Sequence, residues 1–314
     1  MSAMAFRPAY LDLLENGQLD RRAAAAYARL KSCDLCPWQC RVDRTVNPEA
    51  GICLSGGMAV VASFQPGFGE ETPLTGRAGS GLIFFASCNL HCDFCHNARI
   101  SQSRSGQTTS PEKLAAIMLH LQSVGCPNIN LVTPTHMLPF LLAGVAAAVR
   151  QGLRIPLVYN TSGYERVEIL AEFLDGVVDI YLPDLKFFDD RVSQRYMHAP
   201  AYPLVSQQAV EEMQRQVGDL RLNARGLAER GMIIRHLVLP GMQADTCQVL
   251  RFIAEQVSPR AWVSLLHYRP SHLALNIPPL DGCPSPAEYQ HAVETAAALG
   301  LRGSTRTILR PILC

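Results

Sequence analysis

The chain has 314 residues, of which 48% are hydrophobic and 18% are charged, and its formal net charge is +1. This length and composition suit one large core, and barrel-type α/β proteins commonly use such a length as a single domain. The 28 basic residues are balanced by 27 acidic ones and are spread along the chain. The chain therefore lacks the basic field that holds nucleic acid, and no nucleic-acid partner is expected.

No apolar run reaches the length that spans a bilayer, so no membrane partner is expected either. Residues 1–10 mix polar and apolar side chains and lack the basic start and apolar core of a signal peptide. These observations predict a cytoplasmic protein. In a reducing compartment, closely spaced cysteines indicate metal ligands rather than disulfides.

Residues 1–80 are expected to form a helix and a small cysteine-rich module. The alanine- and arginine-rich segment 19–31 predicts the helix. The four cysteines that follow are Cys33, Cys36, Cys40 and Cys53. Four thiolates at this spacing can bind zinc or a second iron–sulfur cluster, because so short a segment cannot bury enough apolar surface by itself. Thiols packed without a metal are the alternative.

Residues 54–80 carry so many glycines and prolines that no long element is expected there. From Gly81 onward, short apolar runs alternate with helix-length segments. The predicted strands are 82–86, 128–133, 155–160, 177–183, 231–239 and 261–267. This alternation predicts parallel βαβ units with right-handed crossovers.

Helix boundaries support this interpretation. Ser110 and Ser285 each precede a proline at the start of a helical pattern, and the two patterns end at Gly125 and Gly300. Six βα units are too few for a closed eight-stranded barrel. The sequence therefore predicts an α/β protein with a partial, open (β/α)6 TIM-like barrel over residues 81–301, whose chemistry lies at the carboxyl ends of the strands.

Two segments fall outside the βα pattern. Residues 187–230 are longer than a simple connection needs and are interpreted as an insertion between the fourth and fifth strands. Residues 302–314 show no clear period, so this C-terminal tail is assigned no element.

Three cysteines follow the first predicted strand on one short loop, namely Cys88, Cys92 and Cys95. Three close thiolates suit an iron–sulfur cubane held at three corners, whose fourth iron stays open to another ligand. A zinc site completed by His91 or His96, or a cluster of buried thiols, are the alternatives. The order of strand and then loop, with Phe94 directly before the last cysteine, favours the cubane.

In this spacing the loop resembles the signature of the radical S-adenosylmethionine (SAM) superfamily. In that family the amine and carboxylate of SAM chelate the open iron, and an electron from the cluster breaks the sulfonium into methionine and a 5′-deoxyadenosyl radical. The resemblance implies a [4Fe–4S] cluster and SAM as cofactors, and an external one-electron donor of the flavodoxin or ferredoxin type. It also implies that Phe94 packs against the adenine.

The strand ends resemble those of relatives of the pyruvate formate-lyase activating enzyme. Thr133 follows the second strand, where these relatives often carry a Gly-Gly-Glu sequence that lines the methionyl amine. Asn160 and Thr161 end the third strand, at the place of an Asp-Thr-Asn-Gly sequence. The resemblance implies that their oxygens contact the ribose or carboxylate of SAM, or a monovalent cation.

Charged residues end the next strands. Asp184 and Lys186 share one face of the fourth strand because side chains alternate, and they match an Asp-Leu-Lys sequence of these relatives. The resemblance implies that Asp184 accepts from the methionyl amine and that Lys186 and Arg235 pair with the carboxylate. Arg269 stands where relatives carry a histidine that contacts the cofactor. An ion pair among these charged residues themselves is the structural alternative.

The sequence thus predicts a radical SAM iron–sulfur enzyme, similar to the activating enzymes but with an extra N-terminal cysteine group. It would abstract hydrogen from an unidentified protein or small molecule. An activase of glycyl radical enzymes is the first alternative, and a non-catalytic iron–sulfur or zinc scaffold is the second. Hydrogen abstraction needs only placement beside the radical, so no acid–base pair marks a catalytic residue or a substrate.

Overall fold

A computed structural model describes residues 6–47 and 50–306, without the side chains of residues 304–306. Its strands are β1 (Ala59–Gly67), β2 (Ser80–Phe85), β3 (Gln107–Thr109), β4 (Ile129–Val132), β5 (Leu157–Thr161), β6 (Ile180–Pro183), β7 (Arg221–Leu222), β8 (Ala228–Val238), β9 (Trp262–His267) and β10 (Arg302–Arg306). Its α-helices are α1 (Tyr10–Glu15), α2 (Gln18–Ala28), α3 (Thr72–Thr75), α4 (Ala98–Ser101), α5 (Pro111–Ser123), α6 (Leu138–Arg150), α7 (Val167–Ile169), α8 (Asp190–Met197), α9 (Tyr202–Val217), α10 (Gln243–Phe252) and α11 (Pro286–Ala298). Short 3₁₀ turns span Arg29–Ser32 and Thr135–Met137, and π-helical turns span Leu170–Leu174 and Ile253–Val257.

One mostly parallel sheet carries the fold. Its strand order in the described residues is β10-β9-β8-β6-β5-β4-β2-β1-β3, with β7 paired to β8 beside this path. Seven strands run parallel to one another, namely β2, β4, β5, β6, β8, β9 and β10. The strands β1 and β3 are antiparallel to their neighbours. This order has two edges, so the sheet is open in the described part of the chain, as predicted.

All six strands predicted from the sequence are present, with shifted ends. Every residue of β4 and β5 is buried, as is typical of parallel strands in α/β proteins. Strands that are buried on both faces consist of consecutive apolar residues, and these runs made them predictable from the sequence. The structure adds a seventh parallel strand, β10, so the count of six βα units was one strand short.

Two helices begin at their predicted caps. The Ser110 hydroxyl accepts a hydrogen bond from the backbone of Lys113, and Pro111 is the first residue of α5. Ser285 and Glu288 form the predicted capping box at the start of α11. Both helices pack beside the sheet and hold the strands that carry the site.

The segment 187–230 contains the crossover between β6 and β8 rather than a simple insertion. Helix α9 packs against both strands and returns the chain to the start of β8, while α8 is the additional element. Pro203 lies in the first turn of α9, where its missing N–H costs nothing. Pro203 is therefore compatible with the start of this helix.

Two strands were missed by the sequence. Residues 59–67 form β1 despite the glycines and prolines around them, because pairing with β2 and β3 supplies hydrogen bonds that the local sequence does not show. Residues 302–306 form β10 beside β9 for the same reason, although their sequence has no apolar period. The predictions of no long element and of an unstructured tail were therefore wrong at these positions. The remainder of that tail, 307–314, lies outside the described residues.

The N-terminal helices cover the amino ends of the strands. The predicted helix over 19–31 is α2 with the 3₁₀ turn after it, and α2 packs against α6. The buried carboxylate of Asp179 accepts from the backbone N–H groups of Ala9 at 2.9 Å and Leu157 at 3.1 Å. The opposite, carboxyl ends of the strands are left for the site.

Within residues 6–47 and 50–306, no helix has both the length and the apolar character needed to cross a bilayer.

Substitution of Leu142 tests the packing of α6. Leu142 is fully buried, so Leu142→Ala should lower the free energy of unfolding by about 2–5 kcal/mol. Leu204→Ala in α9 is the control, because that side chain is 58% exposed, and it should change stability by about 0.5 kcal/mol or less. Urea unfolding measures both. Equal losses in the two variants would contradict the placement of α6 in the core.

Candidate functional site

A cavity with a volume of about 390 Å³ opens at the carboxyl ends of the parallel strands. This volume is in the range of small-molecule sites. Its wall includes strand-end residues from across the sheet, namely Phe84, Val132, Asn160, Arg235, Leu237 and Leu266. The predicted location of the chemistry therefore coincides with a cavity.

Ten of the eleven residues predicted to bind the cluster or SAM line this cavity: Cys88, Cys92, Phe94, Cys95, Thr133, Asn160, Thr161, Asp184, Lys186 and Arg235. The exception is Arg269, which lies outside the wall. Its backbone contacts the ring of His96, and His96 does line the cavity. The structure thus brings together predicted residues from four strand ends, those of β4, β5, β6 and β8, and from the cysteine loop after β2.

The thiols of Cys88 and Cys92 are each 8% exposed, and that of Cys95 is half-buried. Burial raises the pKa of Cys88 to about 12, although the backbone N–H of Leu90 and the charge of Lys186 act in the opposite direction. Without a metal the Cys88 thiol therefore holds its proton at neutral pH. A metal that binds these thiols must displace their protons, as thiolate coordination does.

Asp184 forms two ion pairs in the cavity wall. Its carboxylate lies 2.5 Å from Lys186 Nζ and 2.7 Å from Arg235 Nε. Burial opposes the ionisation of Asp184, but Arg235 and Lys186 outweigh it and hold the pKa of Asp184 below its usual value. The ion pairing among these residues that the sequence analysis gave as a structural alternative is therefore present. It lies in the cavity wall, where a ligand would meet the same charges.

Hydrogen bonds behind this ion pair fix its orientation. Arg235 Nη2 donates to Asn160 Oδ1 at 2.6 Å, and Asn160 Nδ2 donates to Asn130 Oδ1 at 3.1 Å. Asn130 Nδ2 in turn donates to Glu70 Oε2 at 3.3 Å. The guanidinium is held in place before any ligand arrives, which reduces the entropy lost on binding.

A buried carboxylic acid, Glu165, lies behind the carboxyl end of β5. Glu165 is 2% exposed and accepts hydrogen bonds from Thr161 Oγ1 and, at 2.5 Å, from Thr135 Oγ1. Burial raises its pKa to about 7, although these two hydroxyls and that of Tyr159 act in the opposite direction. Glu165 thereby fixes the Thr161 side chain in the cavity wall.

Two further features mark the wall as a binding surface. The buried Ser162 Oγ has no hydrogen-bond partner among the described residues, and an unsatisfied buried hydroxyl suits a polar ligand. Ser87 and Thr133 have positive φ angles of 70° and 56° at two strand ends. A β-branched residue rarely adopts this backbone, and such strain concentrates at functional sites.

The donor set fits the group that the cysteine spacing implies. Three thiols and a paired carboxylate and cations line one cavity. A cubane takes three protein thiolates at three separate irons, and Cys88, Cys92 and Cys95 offer three thiols in this one wall.

Among the polar residues of the cavity wall, sequence reasoning gave no role to Glu70, Asn97, Ser101 and Ser162, and it considered His96 only as a zinc ligand. Three of them follow the cysteine loop directly, and Ser162 follows Thr161, so their positions in the chain were a usable signal. Glu70 offered none, because it lies in the glycine- and proline-rich segment after β1.

A protein-family model described as the radical SAM superfamily matches residues 82–248, which is more than half of the chain. The chain belongs to the radical SAM superfamily. This membership implies a [4Fe–4S] cluster and SAM as cofactors, and an external electron donor.

Individual relatives are more distant. The uncharacterized protein MJ0674 of Methanocaldococcus jannaschii is 28% identical over 302 residues, covering 93% of this chain and 82% of that protein. A radical SAM methyltransferase from Sphaerobacter thermophilus matches with a TM-score of 0.49 at 15% identity, over 72% of this chain and 66% of that one. SuiB of Streptococcus suis bound to S-adenosylmethionine matches with a TM-score of 0.48 at 14% identity, over 70% of this chain. The chain spans about half the length of SuiB, 48%.

The raised pKa of Glu165 predicts a pH-dependent stability. Because the folded state holds the proton more tightly than the unfolded state, this contribution is complete below about pH 4.5 and is lost as pH rises through about 7. Relative to Glu165→Gln, the wild type should lose about 1–3 kcal/mol of unfolding free energy across this window. Urea unfolding at several pH values measures the difference.

Glu168→Gln is the matched control, because Glu168 lies in the same segment and its side chain is 71% exposed. An identical pH dependence for wild type and Glu165→Gln would show that Glu165 is not buried as described.

Proposed function

We propose that this chain is a radical SAM enzyme that binds a [4Fe–4S] cluster through Cys88, Cys92 and Cys95 and binds SAM in the adjoining cavity. The observation that carries the proposal is that these three thiols and the Asp184 ion pairs line the same cavity. When bound, such a cluster supplies one electron to SAM, which yields methionine and a 5′-deoxyadenosyl radical.

The charged residues would hold the methionyl end of SAM. Asp184 is an acceptor for the ammonium group, and Lys186 and Arg235 are partners for the carboxylate. Arg235 uses Nε on Asp184 and Nη2 on Asn160, so Nη1 is not engaged by either contact. A carboxylate beside Nη1 therefore need not break the existing pairs.

The remaining wall suits the nucleoside. Phe94 is 3% exposed and is held edge-on against Phe187 at 5.8 Å between ring centroids, so it offers a rigid apolar surface for adenine. Asn160, Thr161 and Ser162 present polar atoms to the cavity, and these are suited to the ribose hydroxyls. Thr133, at the neighbouring strand end, is suited to the methionyl group.

We propose further that the radical abstracts hydrogen from a protein or a small molecule. The electron would come from an external donor of the flavodoxin or ferredoxin type. Activation of a glycyl radical enzyme is a narrower form of this proposal, which requires such an enzyme in the same genome. The scaffold alternative differs from both, because it requires no binding of SAM.

Product analysis tests the proposal directly. Anaerobically reconstituted protein, reduced with dithionite and supplied with SAM, should form 5′-deoxyadenosine, measured by chromatography. Alanine substitution of Cys88, Cys92 or Cys95 should abolish both the cluster and the product. Cys126→Ala is the control, since this buried thiol lies outside the cavity, and it should retain both.

If no 5′-deoxyadenosine forms, and SAM leaves the paramagnetic resonance spectrum of the reduced protein unchanged, the scaffold alternative is correct and the proposed enzyme is not.

The role of Arg235 can be tested separately. Arg235→Gln should weaken SAM binding by about 1.5–3 kcal/mol, the range of hydrogen bonds to charged groups, while the cluster remains. Arg230→Gln is the control on the same strand, because Arg230 donates to the Gln216 carbonyl away from the cavity. Equilibrium binding to the reconstituted protein measures both affinities. Equal affinities in the two variants would exclude Arg235 from the SAM site.

A further inference from the structure

A second group of thiols lies outside the cavity wall. These N-terminal thiols are Cys33, Cys36, Cys40 and Cys53. Three of them are at most 8% exposed and the fourth, Cys40, is half-buried. Burial raises the pKa of Cys36, and the nearby thiols Cys53, Cys33 and Cys40 raise it further, so the four thiols lie near one another although Cys40 and Cys53 are 13 positions apart in the chain.

The backbone around these thiols forms a tight double loop. Cys33 N donates to Val42 O at 2.9 Å and Arg41 N donates to Cys33 O at 2.8 Å, which closes the first loop. A Cβ built on Gly51 would lie 3.9 Å from Cys40 Sγ, so the second loop lies against the first. Three non-glycine residues have a left-handed backbone here: Gln39, Arg41 and Leu54. Backbone of this kind persists only where the surrounding structure holds it in place.

The strongest indication is a buried cation. Arg44 is 2% exposed, and it donates to the carbonyls of Ser55, Gly56 and His136 at 2.8–3.2 Å. Its Nη1 lies 3.8 Å from Cys33 Sγ. A metal-bound thiolate at Cys33 would place a negative charge beside this buried guanidinium, and buried charges are stabilised by such pairing.

The same segment contacts the cysteine loop of the cavity. Trp38 lies between Cys36 and Cys40, and its Nε1 donates to the carbonyl of Asn89 at 2.7 Å. The Trp38 ring also packs edge-on against Tyr164, whose carbonyl accepts from Asn89 Nδ2 at 2.9 Å. Anything that holds the double loop together therefore also positions Asn89.

We propose that the N-terminal thiols bind a metal centre through four thiolates. Four thiolates around zinc or around a four-iron cluster both leave a net negative charge, which would neutralise Arg44. The centre would also hold Trp38 against Asn89, a consequence that rests on the proposed function of the Cys88 loop. The coordination itself is independent of whether the chain cleaves SAM.

The test is metal analysis of the full chain carrying Cys88→Ala, Cys92→Ala and Cys95→Ala, purified anaerobically. We expect about one zinc or about four irons with sulfide per chain. Visible absorption that bleaches with dithionite identifies a cluster, and a colourless protein identifies zinc. Adding Cys33→Ser and Cys36→Ser should remove the metal, whereas adding Cys126→Ser, the matched buried thiol, should not.

Two results would overturn the proposal. One is a folded triple variant, judged by circular dichroism, that contains neither metal above a few hundredths of an equivalent. The other is metal that persists after Cys33 and Cys36 are replaced. Because the triple variant lacks the proposed active-site ligands, failure of SAM cleavage leaves this result unaffected.

The unaltered chain provides a measurement that does not depend on how the variants fold. Alkylation followed by mass spectrometry should find the N-terminal thiols protected together and released together when a chelator removes the metal. Cys247 is the internal reference, because it is partly exposed and lies on α10. Unchanged labelling of Cys36 and Cys53 after chelation would show that burial, not a metal, protects them.

Discussion

The contact between Asp184 and Arg235 joins the two halves of the sheet. Strands β6 and β8 pair regularly only at Ile180 with Gly231 and at Tyr181 with Met232, and they meet again at Asp184 and Arg235. The Leu185 N–H also donates to the Arg235 carbonyl at 2.9 Å. Because the ion pair lies at this junction, the cavity and the sheet depend on the same two charges. A buried charge left alone is costly, so neither side chain can be replaced without effect on the other.

The two ends of the strands are used differently. At the amino ends, Asp179 binds backbone N–H groups from the N-terminal segment and from β5, and its burial raises its pKa to about 7. At the carboxyl ends, Asp184 binds side-chain cations that keep it ionised. The two aspartates that flank β6 thus have opposite pKa shifts, because Asp179 accepts from neutral backbone donors whereas Asp184 forms ion pairs with two cations.

Much of the fold could be predicted because buried parallel strands are continuous apolar runs. β1 and β10 could not, since their stability comes from partner strands far away in sequence. Asp184 and Lys186 were placed on one face by simple alternation, and the structure has both in the cavity wall. Arg269 follows the end of β9, where the chain no longer alternates, and its direction was not encoded in a local pattern. Glu70 lines the cavity and accepts a hydrogen bond from Asn130, a contact between distant parts of the chain that no periodic pattern in the sequence indicates.

The hydrogen bond from Trp38 to the Asn89 carbonyl makes tryptophan fluorescence sensitive to the contact between the cysteine-rich segment and the cavity loop. The chain has two tryptophans, and the other, Trp262, lies at the start of β9 with the Arg302 guanidinium 5.4 Å from its ring centroid. Indole emission depends on the polarity and hydrogen bonding around the ring. One of the two fluorophores therefore lies where the cysteine-rich segment meets the cavity loop, and the other lies at the far end of the strands as an internal standard.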